Sequence, residues 1–278
     1  MCFKMKIGVT IEPYEGIAAG HLVPFAKAIE LDHIEINANI LPGIDGVLEN
    51  IDNLTTTFHM PIFEVEGYDP GSKDKKHAKK MDEIITFINK YHKKLNMLYT
   101  LAHPPESSTS EFNLLIERLL RVETPIVLEN IPWQPDSEFM DFYFKAKDVL
   151  GKQLAGHAID GPHRFLTDIE NWLDVPEELT KEIVYVHLQD TGKEKDDHLP
   201  LGEGEMPYQD FLRFLKRIGY KGVINQEIKP KGLDIVSIMN SCLNVLKVVD
   251  KPRFLKLKVK YAILKPIIKK KIREAAKS

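Results

Sequence analysis

Cysteine is scarce in this chain: Cys2 and Cys242 are the two thiols among 278 residues. Two cysteines build neither a disulfide framework nor a cysteine-ligated zinc finger, so the reduced cytosol is the expected compartment. Long apolar runs are also missing. No stretch approaches the roughly 18 apolar residues that span a bilayer, and MCFKMKIGVT runs directly into a strand-like segment without a secretory h-region. No transmembrane segment is therefore expected. A Gly-rich dinucleotide fingerprint and a phosphate loop are lacking too, because LGEGE (201–205) follows a loop and does not open a helix after a strand. Basic charge is sparse until the end. The net charge is −3, yet Lys251 to Ser278 holds eleven Lys and Arg against one acid, Glu274, so the preceding body is strongly acidic. Such a body opposes broad binding to nucleic-acid backbones, which takes a basic footprint. A metal site would cancel several of its carboxylates locally.

What is present is a repeating pattern. With 43% hydrophobic and 28% charged residues the composition is that of a globular protein. Short apolar runs alternate with amphipathic stretches of helical period. The runs are KIGVTI (6–11), HIEINA (33–38), TTFHMPI (56–62), MLYTLAH (97–103), PIVLENI (125–131), QLAGHAID (153–160), IVYVHLQ (183–189) and GVINQEI (222–228). Asp74–Lys94, Tyr208–Ile218 and Leu233–Val248 are the clearest helices between them; the first carries Met81, Ile84, Ile85 and Ile88 on one face. Eight successive β-then-α units imply parallel strands with helical crossovers, in a closed barrel or an open doubly wound sheet. The length is close to the roughly 250 residues of a (β/α)8 barrel. The expected fold is a single α/β TIM barrel over residues 1–249, with a basic C-terminal extension over 250–278.

A buried parallel strand should be almost wholly apolar. Here the exceptions gather at one end of each run: His59, His103, Glu129, Asp160, His187 and Glu227, with His163 three residues after Asp160 and Asp196 and His198 in the loop after the seventh run. In a barrel these ends share one mouth. Singly, a strand-end histidine is explained by hydrogen bonding, and KEKDDH by a solvated loop. Jointly, several ionised carboxylates brought together need a counter-charge, and divalent ions supply it. Histidine with Asp and Glu suits Zn, Mn or Co better than Ca.

At these residues the chain resembles the xylose isomerase-like TIM barrels, which include sugar isomerases and epimerases and the endonuclease IV repair enzymes. The likeness covers residues 5 to about 248 and is most specific over VHLQDTGKEKDDHLPLGEGEMPYQDFLRFLKRIGYKGVINQEIK (186–229), supported by LEN (128–130) and IDGPH (159–163). The isomerase branch implies one divalent ion held by Glu129, Asp160, His187 and Glu227, with Glu129 and Glu227 also acting as acid and base and with His163 on substrate oxygens. GEGEMPY (202–208) looks like the epimerase version of its loop. The endonuclease IV branch implies three zinc ions on His59, His103, Glu129, Asp160, His163, His187, Asp196, His198 and Glu227. Asp196-x-His198 is similar to that branch, since epimerases tend to carry Arg near His198, which would otherwise contact substrate. Against the nuclease stand the acidic body, the loop FEVEGYDPG (63–71), which lacks basic and wedge residues, and a short segment between the fourth and fifth runs. The expectation is a metal-dependent sugar or sugar-phosphate isomerase or epimerase with a small carbohydrate substrate. The alternative is a zinc phosphodiesterase acting on abasic DNA, so that nucleic acid would be the partner.

The tail FLKLKVKYAILKPIIKKKIREAAKS (254–278) is read in two parts. Leu255, Leu257, Val259 and Tyr261 alternate with lysines, the pattern of a strand or extended arm, while Leu264, Ile267, Ile268 and Ile272 fall at helical spacing. Pro266 opposes a continuous helix from Tyr261 onward. The plain reading is a solvated terminal extension; as a docking segment it would meet an anionic membrane surface, nucleic acid or the acidic body of a neighbouring subunit, and of these the last is expected, which would make the chain a homo-oligomer.

Overall fold

Alternation within each apolar run decides which residues face the barrel axis and which face the helices. The strands β1 (Lys6–Thr10), β2 (His33–Ile36), β3 (Thr55–His59), β4 (Met97–Ala102), β5 (Ile126–Glu129), β6 (Leu154–Asp160), β7 (Ile183–His187) and β8 (Val223–Gln226) close into one barrel in sequence order. Every neighbouring pair is parallel, including β8 with β1. This computed structural model describes residues 5–229, 231–232 and 234–276; Cys2, Leu233 and the last two tail positions lie outside the described residues. Around the barrel run α1 (Ala19–Ala28), α2 (Ile44–Leu48), α3 (Phe63–Glu66), α4 (Lys75–Tyr91), α5 (Phe112–Leu120), α6 (Asp136–Leu150), α7 (Gly161–Thr167), α8 (Glu177–Thr180), α9 (Tyr208–Arg217), α10 (Ile235–Val249) and α11 (Lys251–Ala275).

The two faces of the strands feed two cores. Ile34, Ile36, Phe58, Ile126, Leu128, Ile159, Val186 and Ile224 join the main core between sheet and helices. The alternate positions Leu101, Val127, Ala158, Tyr185 and Val223 make a separate apolar plug. Two residues further along, the same face carries His103, Glu129, Asp160, His187 and Asn225, and Glu227 follows two beyond Asn225. A period of two thus stacks a polar layer directly above the plug. Register aligns it, pairing Asp160 with His187 and His187 with Asn225.

Except for β6, which ends with its run at Asp160, the strands stop one to three residues before the apolar runs do. The third run ends its ladder at His59, since Pro61 has no N–H to give. Helix α4 is started by Asp74, whose side chain accepts from Lys76 N at 3.0 Å, and it buries Met81, Ile84, Ile85, Phe87 and Ile88.

The tail departs from its sequence reading. Helix α11 runs unbroken through Pro266 and through the segment expected to be extended. The cause is that the alternating apolar residues serve two helix faces: Leu257 and Tyr261, four apart, are buried, while Leu255 and Val259, also four apart, are exposed. Pro266 and Ala262 both face solvent, so the carbonyl that loses its partner is hydrated. The acidic surface met by this helix belongs to its own barrel. Arg253 pairs with Asp32 at 2.6 Å, Lys256 and Lys260 each reach Glu30 at 2.8 Å, and Tyr261 Oη donates to Ile29 O at 2.6 Å.

Candidate metal centre at the barrel mouth

Parallel strands deliver their C-terminal ends to one mouth, and there the polar layer becomes a single connected cluster. Glu129 lies at its centre. Its Oε2 is 3.0 Å from His103 Nε2 and 3.5 Å from His59 Nε2, and its Oε1 is 2.8 Å from His187 Nδ1. Glu227 Oε2 approaches the same His187 nitrogen at 3.3 Å, and Asp160 Oδ2 at 3.9 Å. On the far side Asp196 Oδ2 bridges His163 Nε2 at 3.2 Å and His198 Nε2 at 3.1 Å. All nine positions singled out from sequence therefore meet here.

The histidines share one arrangement. His59 Nδ1 donates to Met60 O at 2.8 Å, His163 Nδ1 to Asn130 O at 2.8 Å, and His198 Nδ1 to Glu227 O at 2.9 Å. A carbonyl only accepts, so each Nδ1 carries the proton and each Nε2 is aimed at the carboxylates. His103 is held the same way by Glu106, at 2.9 Å from Nδ1. His187 is reversed: Nε2 is held by Glu35 Oε2 at 2.8 Å, and Nδ1 points inward. One nitrogen anchored outward and one presented inward is the orientation that outer partners impose on metal-ligating imidazoles.

Local sequence explains the loops that carry these groups. Asn130 braces the ends of β5 and β6, accepting from Asp160 N at 3.0 Å and donating to Asp160 O at 3.1 Å, while its own carbonyl receives His163. Asp190 exchanges backbone hydrogen bonds with Leu199, both 2.8 Å, which pinches off the loop bearing Asp196 and His198. The carboxylate of Asp190 then accepts from Gly202 N at 2.7 Å and Met206 N at 3.1 Å, wrapping GEGEM around it. Gly204 passes so close that a Cβ there would meet Asp190 Oδ1 at 2.4 Å and Thr191 O at 2.5 Å. His198 itself sits at φ +50, a left-handed backbone that histidine tolerates better than most side chains.

Charge is balanced inside the cluster. Burial alone would drive His187 and His103 towards neutrality, but the surrounding carboxylates override it; His187 is held well above the usual histidine range and His103 is pushed up to about 10. Glu129 is correspondingly held well below the usual carboxylate range by His187 and His103, against its burial. Burial dominates at Asp160, whose carboxyl is pushed up to about 7 despite His163. Protonated imidazoles thus supply the counter-charge that the clustered carboxylates require, the place a divalent ion would take.

The residues fit a metal ion on two observations. The ligand atoms of Glu129, Asp160, His187 and Glu227 lie within 4.8 Å of one another, as do those of His59, Glu129 and His187 and of Glu35, His59 and Glu227. Asp196 Oδ1 is buried without a hydrogen-bond partner among the described residues, in a side chain that lines the cavity. That cavity, about 650 Å³, is bordered by Glu227, His59, His103, His163, Asp196 and His198. Glu129, Asp160 and His187 lie one layer deeper. Its rim carries Glu12, Glu64, Glu66, Glu106 and Asp197 against Lys195 and Lys229, with Phe63 and Trp133 alongside.

Glu35 belongs to this cluster and was absent from the sequence-derived set. It is fully buried on β2, receives Tyr185 Oη at 3.0 Å and Thr10 Oγ1 at 3.1 Å, and holds His187. Its signal was present: a carboxylate between Ile34 and Ile36 in a buried parallel strand is as anomalous as one at a strand end.

Residues 23–244 match the xylose isomerase-like TIM barrel family (AP_endonuc_2), and the chain belongs to that family. Among curated proteins it is similar to the uncharacterized protein MJ1311 of Methanocaldococcus jannaschii, 34% identical over 90 residues; the match covers 30% of this chain and 28% of that protein. The chain thus spans less than a third of that relative's length in the match. Among solved structures it is similar to a D-tagatose 3-epimerase-like protein, with TM-score 0.68 and 23% identity over 89% of this chain and 99% of the other. It is also similar to an AP endonuclease, family 2, from Brucella melitensis, with TM-score 0.59 and 15% identity over 82% and 94%. At these identities the structural likeness speaks for the fold. Among the described residues no helix is long and apolar enough to cross a membrane.

Proposed function

We propose that the chain is a divalent-metal-dependent isomerase or epimerase acting on a sugar or sugar phosphate. The observation that carries this reading is the convergence of Glu129, Asp160, His187 and Glu227 beneath a small cavity with an acidic rim. These four residues would hold the ion, with Zn, Mn or Co suited to the donor set. Bound there, the ion supplies Lewis-acid polarisation of a carbonyl and its neighbouring hydroxyl. The rest falls to the protein. That Glu227 borders the cavity supports its role as the carboxylate that takes a proton from the carbon beside that carbonyl. Glu129 is the second proton-transfer group, and it reaches substrate only by exchanging its bonds to His103 and His187. His163 and His198 border the same space and orient hydroxyl or phosphate oxygens.

One observation favours a second reading, an endonuclease IV-like zinc phosphodiesterase. The His163–Asp196–His198 bridge and the His59–Glu129–His103 bridge flank the central four residues, so that the nine positions form three adjacent groups. The acidic rim works against it, because a duplex would bring phosphates to a surface without a basic footprint. Incubation with ketoses and ketose phosphates in D2O, with Mn or Co added, separates the two. Deuterium incorporated beside the carbonyl supports the isomerase. No exchange together with efficient incision of an abasic-site duplex overturns it.

A further inference from the structure

Helix α11 has a second apolar face that the barrel does not cover. Leu257, Tyr261, Ile268 and Ile272 are buried against the core. On another side of the helix Leu255, Val259, Ile263 and Ile267 follow one another at steps of four residues and are 55%, 65%, 65% and 49% exposed. Single exposed aliphatic residues are ordinary, whereas a line of four along roughly 18 Å of helix is not. Lys251 and Lys271 continue the same step of four at the two ends of this line, and Lys258 lies beside Leu255 and Val259; all three are exposed, and none pairs with a carboxylate among the described residues. The opposite edge holds Lys256 and Lys260, which grip Glu30 and keep the helix on the barrel. Glu274, 3.9 Å from Lys270, is the sole acid of the helix.

We propose that this face of α11 docks on an anionic lipid surface, lying on it without crossing. The charge pattern selects the occupant. A second copy joined through the same face would set these lysines against their own images. A straight, convex line of Leu, Val and Ile presents no groove or aromatic anchor of the kind protein interfaces use. A lipid interface requires only a continuous apolar line with cations at its edge, whose stems extend so that the ammonium groups reach the headgroups. The strongly acidic barrel is repelled by such a surface, so attachment is confined to the one basic element.

The test is flotation of the full-length protein with phosphatidylcholine vesicles, with and without phosphatidylglycerol. We expect roughly tenfold stronger binding to the anionic vesicles, weakening as salt is raised. Val259→Asp with Ile263→Asp alters only exposed positions and removes that binding, with circular dichroism and metal content unchanged. Lys258→Glu with Lys271→Glu has the same effect through charge alone. Absence of binding to anionic vesicles, or equal binding to neutral ones, overturns the proposal. So does a wild-type dimer in sedimentation that Val259→Asp/Ile263→Asp dissociates while vesicle binding is unaffected, since the occupant is then a second copy.

Discussion

His187 gives its two ring nitrogens to two different carboxylates, Nε2 lying 2.8 Å from Glu35 Oε2 and Nδ1 lying 2.8 Å from Glu129 Oε1. Glu35 thereby fixes both the tilt and the basicity of the imidazole that faces the cluster. Its carboxyl is held down at about 2 because His187 outweighs the effect of burial. Glu35→Gln keeps the shape and removes the charge. It should weaken Mn or Zn binding about tenfold, the lower end for an outer partner of a ligating histidine, while circular dichroism stays the same. Unchanged affinity in a chelator competition would show that Glu35 only fills space.

Glu227 differs from Glu129 in bordering the cavity. Glu227→Gln should lower kcat by roughly 10² to 10⁴, as loss of a general acid or base does, with a smaller fall in metal affinity. Near-normal kcat on a substrate that exchanges deuterium would remove Glu227 from proton transfer.

His198 tests the number of ions. If the Asp196 bridge holds an ion of its own, His198→Ala lowers the bound metal by about one per chain and leaves the ion at Glu129, Asp160, His187 and Glu227. Unchanged stoichiometry assigns His198 to substrate binding or to structure.

Acid should loosen α11. Hydrogen bonds from Lys256 and Lys260 hold the Glu30 carboxyl down at about 2. A depressed carboxyl contributes stability that is complete above its unfolded value, roughly 4.3, and that is lost as pH falls from there towards about 2. Hydrogen exchange of α11 amides should rise across that window, and Glu30→Gln should flatten the dependence. Exchange that stays level through it would mean that apolar packing alone holds the helix.

The barrel and its mouth were readable because periodicity and parallel topology are local signals: polar residues at strand ends have one place to meet. Which carboxylate serves which histidine was not readable, since that depends on register and side-chain rotamer, such as the reversed His187 ring. Glu35 escaped because it stands within β2 and not at a strand end, where the other polar residues gather. The tail was misread at Leu255 to Tyr261 because a helix with two apolar faces imitates the alternation of a strand.

The central claim is that Glu129, Asp160, His187 and Glu227 hold a divalent ion, and metal content per chain by mass spectrometry tests it most directly. Wild-type protein loaded with Mn or Zn and then desalted should retain at least one ion per chain. An Asp160→Asn/Glu227→Gln variant with unchanged circular dichroism should retain at least one fewer. Equal metal in the two proteins, or none in either, contradicts the account.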